Sequence, residues 1–117
     1  MPQIETLKLN KDFKRLYGRG KSFVHPVLVT YIMKNRTGYC RIGITTGKKV
    51  GNAVHRNRAR RIILAAYREL APFIGGGYDI VFVARSRTPF VKSTDITGIL
   101  KKQLSEVGAI QSEMVTD

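Results

Sequence analysis

The sequence predicts an α+β sandwich in a single domain spanning residues 1–117, and three observations predict it. Segments with helical spacing alternate with segments of period two, in the order helix, strands, helix, strand, helix. A length of 117 residues suits one domain and leaves little room for two. The apolar fraction of 43% supplies a real core and argues against global disorder.

Each element has its own signal. Asn10 is expected to cap a short helix from Lys11 to about Tyr17, which Gly18 and Gly20 stop; Phe13, Leu16 and Tyr17 share one face of it. Val27 to Lys34 reads as a strand, with Leu28, Thr30 and Ile32 on one side and Val29, Tyr31 and Met33 on the other. The turn Asn35-Arg36-Thr37-Gly38 predicts an antiparallel hairpin with the next strand, Tyr39 to Thr46. Gly43, inside that strand, marks a bulge or a close approach. Asn52 caps a long helix, Ala53 to about Leu70, which Pro72 follows. Tyr78 to Ala84 is mostly apolar, as an interior strand must be. Thr94 or Asp95 caps a last helix whose Ile96, Ile99, Leu100, Leu104 and Val107 lie together, and a frayed tail is expected after Gly108.

Charge decides the class of partner. There are 21 Lys and Arg against 8 Asp and Glu, a net charge of +13, and such a field attracts polyanions. Of the two common ones, nucleic acid and anionic membrane, the sequence favours the first. No apolar run approaches the ~20 residues that span a bilayer. No signal-type apolar segment opens the chain, and no lipidation motif closes it. The one cysteine, Cys40, has no internal partner and lies in an apolar alternation, so a buried thiol in a reducing compartment, the cytoplasm, is expected.

The long helix concentrates that charge. Six Lys or Arg and no acid lie between Lys48 and Arg61. Ala59, Ile62, Ile63, Ala66 and Leu70 form one apolar stripe; Asn57, Arg58, Arg60, Arg61 and Arg68 project opposite, with Arg56 at the boundary. Like charges four residues apart, such as Arg56 and Arg60, destabilise a free helix by a few tenths of a kcal/mol. A phosphate ladder turns that cost into binding, because the guanidinium fork holds phosphate with two hydrogen bonds. Arg and Asn alone do not separate RNA from DNA. Around the first helix, Phe13, Tyr17 and Tyr31 stand amid Lys11, Lys14, Arg15, Arg19 and Lys21. Rings in that setting either fill a core or stack on unpaired bases.

Catalytic machinery is missing from the pattern. None of the eight acids pairs with another at a metal-ligand spacing, and His25 and His55 suit solvated or phosphate-contacting roles. Gly75-Gly76-Gly77 lacks the Lys-Ser/Thr of a phosphate-binding loop, and Gly18-x-Gly20 leads into a strand. Any activity tied to this chain is expected to belong to its partner.

The run KKVGNAVHRNRARR, Lys48 to Arg61, resembles the arginine-rich RNR signature of the bacterial ribonuclease P protein subunits. The likeness covers nearly the whole chain: LNKDFKRLYGRGKSF resembles the family's first helix and turn, RIGITTGKKVGNAV its central strand and loop, GYDIVFVAR its last strand. The resemblance implies an αβββαβα sandwich like the second domain of ribosomal protein S5. It also implies a left-handed crossover through the RNR helix, where the general rule for parallel strands gives the right hand.

The resemblance further implies a ribonucleoprotein endoribonuclease in which the RNA subunit removes the 5′ leader of precursor tRNA, using Mg²⁺ held through the RNA. The protein is then non-catalytic alone, takes no small-molecule substrate, has no cofactor assigned to it, and joins the RNA as a monomer in a 1:1 complex; which residues hold protein-associated metal ions stays open. Contacts to the RNA subunit are implied for Lys48, Lys49, Asn52, Arg56, Asn57, Arg58, Arg60 and Arg61. The cleft for the single-stranded leader is implied at Phe13, Lys14, Tyr17, Tyr31 and Arg41. Two positions depart from the family pattern: Leu64 stands on the basic face where Arg is common, and Glu5 makes the segment before Leu7 less basic than usual. The runner-up reading is a ribosomal-type structural RNA-binding protein with no role in cleavage.

Overall fold

Two helices cover one face of a five-stranded sheet and a single short helix lies on the other. The structure is a computed structural model and describes residues 5–110. In chain order the elements are β1 (Glu5–Thr6), α1 (Asn10–Arg19), β2 (Lys21–Val24), β3 (Leu28–Lys34), β4 (Arg41–Thr45), α2 (Ala53–Leu70), β5 (Tyr78–Ala84) and α3 (Ser93–Glu106). The strand order across the sheet is β1-β4-β5-β3-β2. The implied succession of helix, three strands, helix, strand and helix is present, and the two-residue β1 adds to it by pairing parallel with β4.

The expected hairpin between β3 and β4 does not form. β5 lies between them, antiparallel to β3 and parallel to β4. The reason is burial. Tyr78–Ala84 is the most apolar strand and is buried on both faces, so it takes the centre, where it has two neighbours. The turn after Lys34 therefore spans two strand spacings, roughly 9–10 Å. Asn35 fits β5 into the gap, its N–H donating to Gly77 O at 2.7 Å and its side-chain amide to Asp79 Oδ1 at 2.7 Å.

Smaller corrections concern helix ends. Asn10 is the first residue of α1 rather than its cap; Leu9 takes the cap position and gives no side-chain hydrogen bond. Gly18 does not stop α1, which continues to Arg19 and closes with Gly20 N–H on Leu16 O. In α2 the Asn52 cap is as expected, its side chain accepting from His55 N–H at 3.0 Å. In α3 the cap position is Lys92, and Asp95 serves from inside the first turn by accepting from Lys92 N–H at 3.0 Å. The tail expected to fray after Gly108 stays docked through Ala109 and Ile110, both buried, with Ile110 bridging to Ile74. Residues 111–117 lie outside the described residues.

Side-chain alternation divides the sheet between two cores. Leu28, Ile32, Ile42, Ile80 and Phe82 pack against Ala59, Ile63, Ala66 and Leu70 of α2 and Ile96, Leu100 and Leu104 of α3. Tyr67, which the apolar stripe of the sequence omitted, is buried there too, its ring 6.0 Å from Phe82. The second core is small: Leu16 of α1 and Leu7 sit on Val81, flanked by Phe13, Tyr31, Met33 and Val83.

Candidate nucleic-acid interface

The face under α1 is only partly covered, because ten helical residues cannot roof five strands. Register places three rows across it: Met33, Asp79 and Arg41; Tyr31, Val81 and Gly43; Val29, Val83 and Thr45. Leu16 covers Val81 and is itself fully buried. Phe13 sits over Gly43, where a Cβ would lie 2.6 Å from the ring, so the close approach expected at this glycine is the seat of Phe13. Tyr17, one turn on and 43% exposed, meets Tyr31 edge-on with centroids 4.9 Å apart, and its hydroxyl lies 3.3 Å from Thr45 Oγ1. The three aromatics implied for the cleft thus share one surface, with Tyr17 outermost. Lys14 is exposed on the same helix.

One end of this face is closed by a charge network that sequence reasoning missed. Asp79, fully buried, accepts from Arg41 Nε at 2.9 Å and Arg41 Nη2 at 2.8 Å, from Asn35 Nδ2, and from Arg15 Nη2 at 3.3 Å. Arg15 also reaches Asp12 at 3.2 Å, so α1 is clamped to the sheet. Burial alone would push the Asp79 carboxyl up; hydrogen bonds from Arg41 and Asn35 and the charges of Arg41 and Arg15 outweigh it and hold the group below the ordinary carboxylate range. The Arg41 guanidinium is stabilised in return, chiefly by its hydrogen bond to Asp79. Arg41, implied as a leader contact, therefore spends much of its fork on the clamp. The available signal was a lone acid in an otherwise apolar strand, which must be paired to be buried.

The basic helix divides its arginines. Arg61 and Asn57 are exposed, and Arg56 is half-buried at the boundary. Arg58 Nε donates to Pro89 O at 2.7 Å, while Arg60 donates to Ile44 O and Thr46 Oγ1, both at 3.2 Å. Lys48 and Lys49 are exposed on the turn before α2. Leu64 is half-buried and lines, with Leu7, Phe13, Gly43, Ile44 and Arg60, a groove of about 280 Å³. That groove lies along β4 where β1 ends, since β1 pairs no further than Ile42. Aromatic cleft and basic helix meet there, with Phe13 and Arg60 in its lining.

His25 Nδ1 accepts from Val27 N–H at 3.0 Å, and His55 packs against Phe90. Among the described residues no group of three or more His, Cys, Asp or Glu could hold a metal ion, and no helix is long and apolar enough to cross a membrane. Cys40 is half-buried and donates to Gly75 O at 3.4 Å; burial pushes its thiol up. Burial, with Cys40 nearby, also pushes the Tyr67 hydroxyl up to about 12.

Fixed cations beside half-covered rings are the equipment of a domain that binds single-stranded nucleic acid. The Ribonuclease P family model matches residues 1–108. The ribonuclease P protein component of Clostridioides difficile is 47% identical over 96 residues, 81% of this chain and 84% of that protein. Among solved structures, the Staphylococcus aureus RNase P protein superposes with a TM-score of 0.78 at 29% identity, over 93% of this chain and all of that one. The Thermotoga maritima RNase P protein gives 0.75 at 29% identity, over 87% and 96%. The chain belongs to the ribonuclease P protein family. It is the protein component of a tRNA-processing endoribonuclease, partnered by RNase P RNA and tRNA, and the ribosomal-type alternative finds no support.

Proposed function

We propose that the chain performs this role with two joined surfaces, α2 holding the RNA subunit and the α1 face holding the 5′ leader of precursor tRNA. Lys48, Lys49, Asn52, Arg56, Asn57, Arg58, Arg60 and Arg61 supply the first, with Arg61 the freest fork and Arg60 a rim residue of the groove. Phe13, Lys14, Tyr17, Tyr31 and Arg41 supply the second. The observation that carries the reading is the groove lined by both Phe13 and Arg60, which makes the two surfaces continuous. A strand leaving the RNA-subunit interface at Arg60 would enter the aromatic cleft along this groove. The protein raises substrate affinity and lowers the Mg²⁺ requirement by neutralising phosphate charge; Mg²⁺ itself is bound through the RNA. It acts as a monomer in a 1:1 complex in the cytoplasm, a compartment that suits one half-buried thiol.

Reconstitution tests this. The protein added to a bacterial ribonuclease P RNA at low Mg²⁺ should stimulate cleavage of a long-leader precursor more than of one with a single leader nucleotide, and should cleave neither without the RNA. Equal stimulation of both substrates would remove the leader from the α1 face. Cleavage without RNA would overturn the non-catalytic reading.

A further inference from the structure

Phe90 ends the turn Thr88–Phe90 after β5, and its side chain is 71% exposed. The loop is built to hold it there. Thr88 and Pro89 are both buried. The Thr88 hydroxyl donates to Val27 O and accepts from Arg85 N–H at 2.8 Å. Pro89 O is gripped from α2 by Arg58 Nε at 2.7 Å, and Phe90 N–H donates to Arg87 O at 3.1 Å. Backbone on both sides of the ring is thus fixed while the ring stays outside. His55 of α2 packs against it, with centroids 5.4 Å apart and planes tilted by 56°. Gly51, at φ 135°, leaves room for that imidazole, since a Cβ would lie 2.9 Å from the His55 ring.

The surroundings are cationic. Arg58, Arg61 and Lys92 line a depression of about 380 Å³ with Val91 and Ser93, next along the chain from Phe90. Arg85 and Arg87 lie on the loop itself. Asp95, the nearest acid along the chain, is turned back onto Lys92 N–H. Beyond Nε, the Arg58 fork has no partner among the described residues. An apolar ring fixed in place, backed by an imidazole and fringed by free guanidinium and ammonium groups, matches a base with its phosphate, and it repels the cationic surface of a second copy.

We propose that Phe90 and His55 form a stacking platform for one unpaired nucleotide of the RNA subunit, whose phosphate is held by Arg58, Arg61 and Lys92. The platform rests on the reading of α2 as the RNA-subunit interface, and extends it from phosphate contact to base contact.

The test is affinity of the full chain for a bacterial ribonuclease P RNA across a salt series. Phe90→Ala should weaken binding by about five- to 150-fold. Its melting temperature and salt slope should stay unchanged, because the ring is exposed and no phosphate contact is lost. Phe90→Leu should lose as much as Ala, and Phe90→Trp should restore affinity. The chain has no Trp of its own, so emission from Phe90→Trp reports this site alone and should be quenched when RNA is added. Wild-type affinity in Phe90→Ala would overturn the platform, as would full affinity in Phe90→Leu. Arg61→Ala separates the two readings. If it weakens binding while Phe90→Ala does not, the platform fails and the α2 interface stands; if neither matters, both fail.

Discussion

The two faces of the sheet obey different rules. Under α2 and α3 the side chains are dry: Ile80, Phe82, Ile63, Leu100 and Leu104 are fully buried, and hydrophobic transfer decides the packing. Among the apolar side chains under α1, only Leu16 and Val81 reach that state, and Phe13, Tyr31, Met33 and Val83 are left half-covered. That face is held instead by charge, through Asp79 and the two arginines it grips. A core sealed on one side lets the other remain open and still keep its shape. The open face is therefore the one with capacity for a ligand.

Truncations should expose the contrast most strongly in the dry core. Phe82→Ala should cost roughly 3–5 kcal/mol of folding stability in denaturant titration. Its loss of substrate affinity should follow the unfolded fraction and show no dependence on leader length. A loss below about 1 kcal/mol would mean that the core collapses around the gap and that the face is not tightly packed.

The charge clamp should come next. Asp79→Ala strips Arg41 and Arg15 of their shared acceptor and should cost roughly 1.5–3 kcal/mol. The clamp also has a pH signature. Because the folded carboxyl titrates below the ordinary Asp value of about 3.9, its contribution is fully present above that pH and is lost as pH falls through the folded value. Wild type should therefore lose stability more steeply than Asp79→Asn below about pH 4, and the two should run parallel above it. Parallel curves throughout the acid range would show that the clamp contributes no pH-dependent stability.

How much of this was legible in the sequence follows from the range of the interactions. Bounds of α2 and β5 were readable to the residue, since Asn52, Pro72 and a mostly apolar run are local signals. Which strands neighbour each other was not. A turn at Asn35–Gly38 says that the chain reverses, but β5, some forty residues later, decides what lies beside β3. The same holds for the clamp. Asp79 finds Arg41, Asn35 and Arg15 at separations of 38, 44 and 64 residues. Phe13 and Tyr17 were legible as one face of a helix, yet only the register of Gly43 shows why Phe13 sits deeper. The exposure of Phe90 was legible only in part, because it is set by Thr88 within its own turn but also by Arg58 on another element.

On the open face, leader affinity should separate from stability. Tyr17→Ala removes the outermost ring and should lose on the order of 1–3 kcal/mol of affinity for a long-leader precursor, with the single-nucleotide-leader substrate spared. Phe13→Ala should lose affinity and stability together, since its ring is wedged on Gly43. Should Tyr17→Ala weaken both substrates equally, the ring is structural and the open face is not where the leader lies.

The smallest expected effect is also the one that sits on the boundary between the faces. Leu64 is half-buried, as its place on the basic side of α2 predicts, and it lines the groove that joins Phe13 to Arg60. Leu64 also packs against the edge of the dry core, and an arginine there can keep part of that packing by laying its methylene stem along Ile44 while its fork extends into solvent. Leu64→Arg should cost less than about 1 kcal/mol of stability by analogy with other half-exposed sites. It should also add one phosphate contact, steepening the salt dependence of RNA binding by roughly 0.7–0.9 in log–log slope. The measurement is affinity for the RNA subunit from low to moderate salt, beside a thermal melt of the free protein. A steeper slope with an intact melt means that the groove is part of the RNA path. An unchanged slope with a large drop in melting temperature would assign Leu64 to the dry core, and would break the continuity between cleft and helix on which the two-surface reading depends.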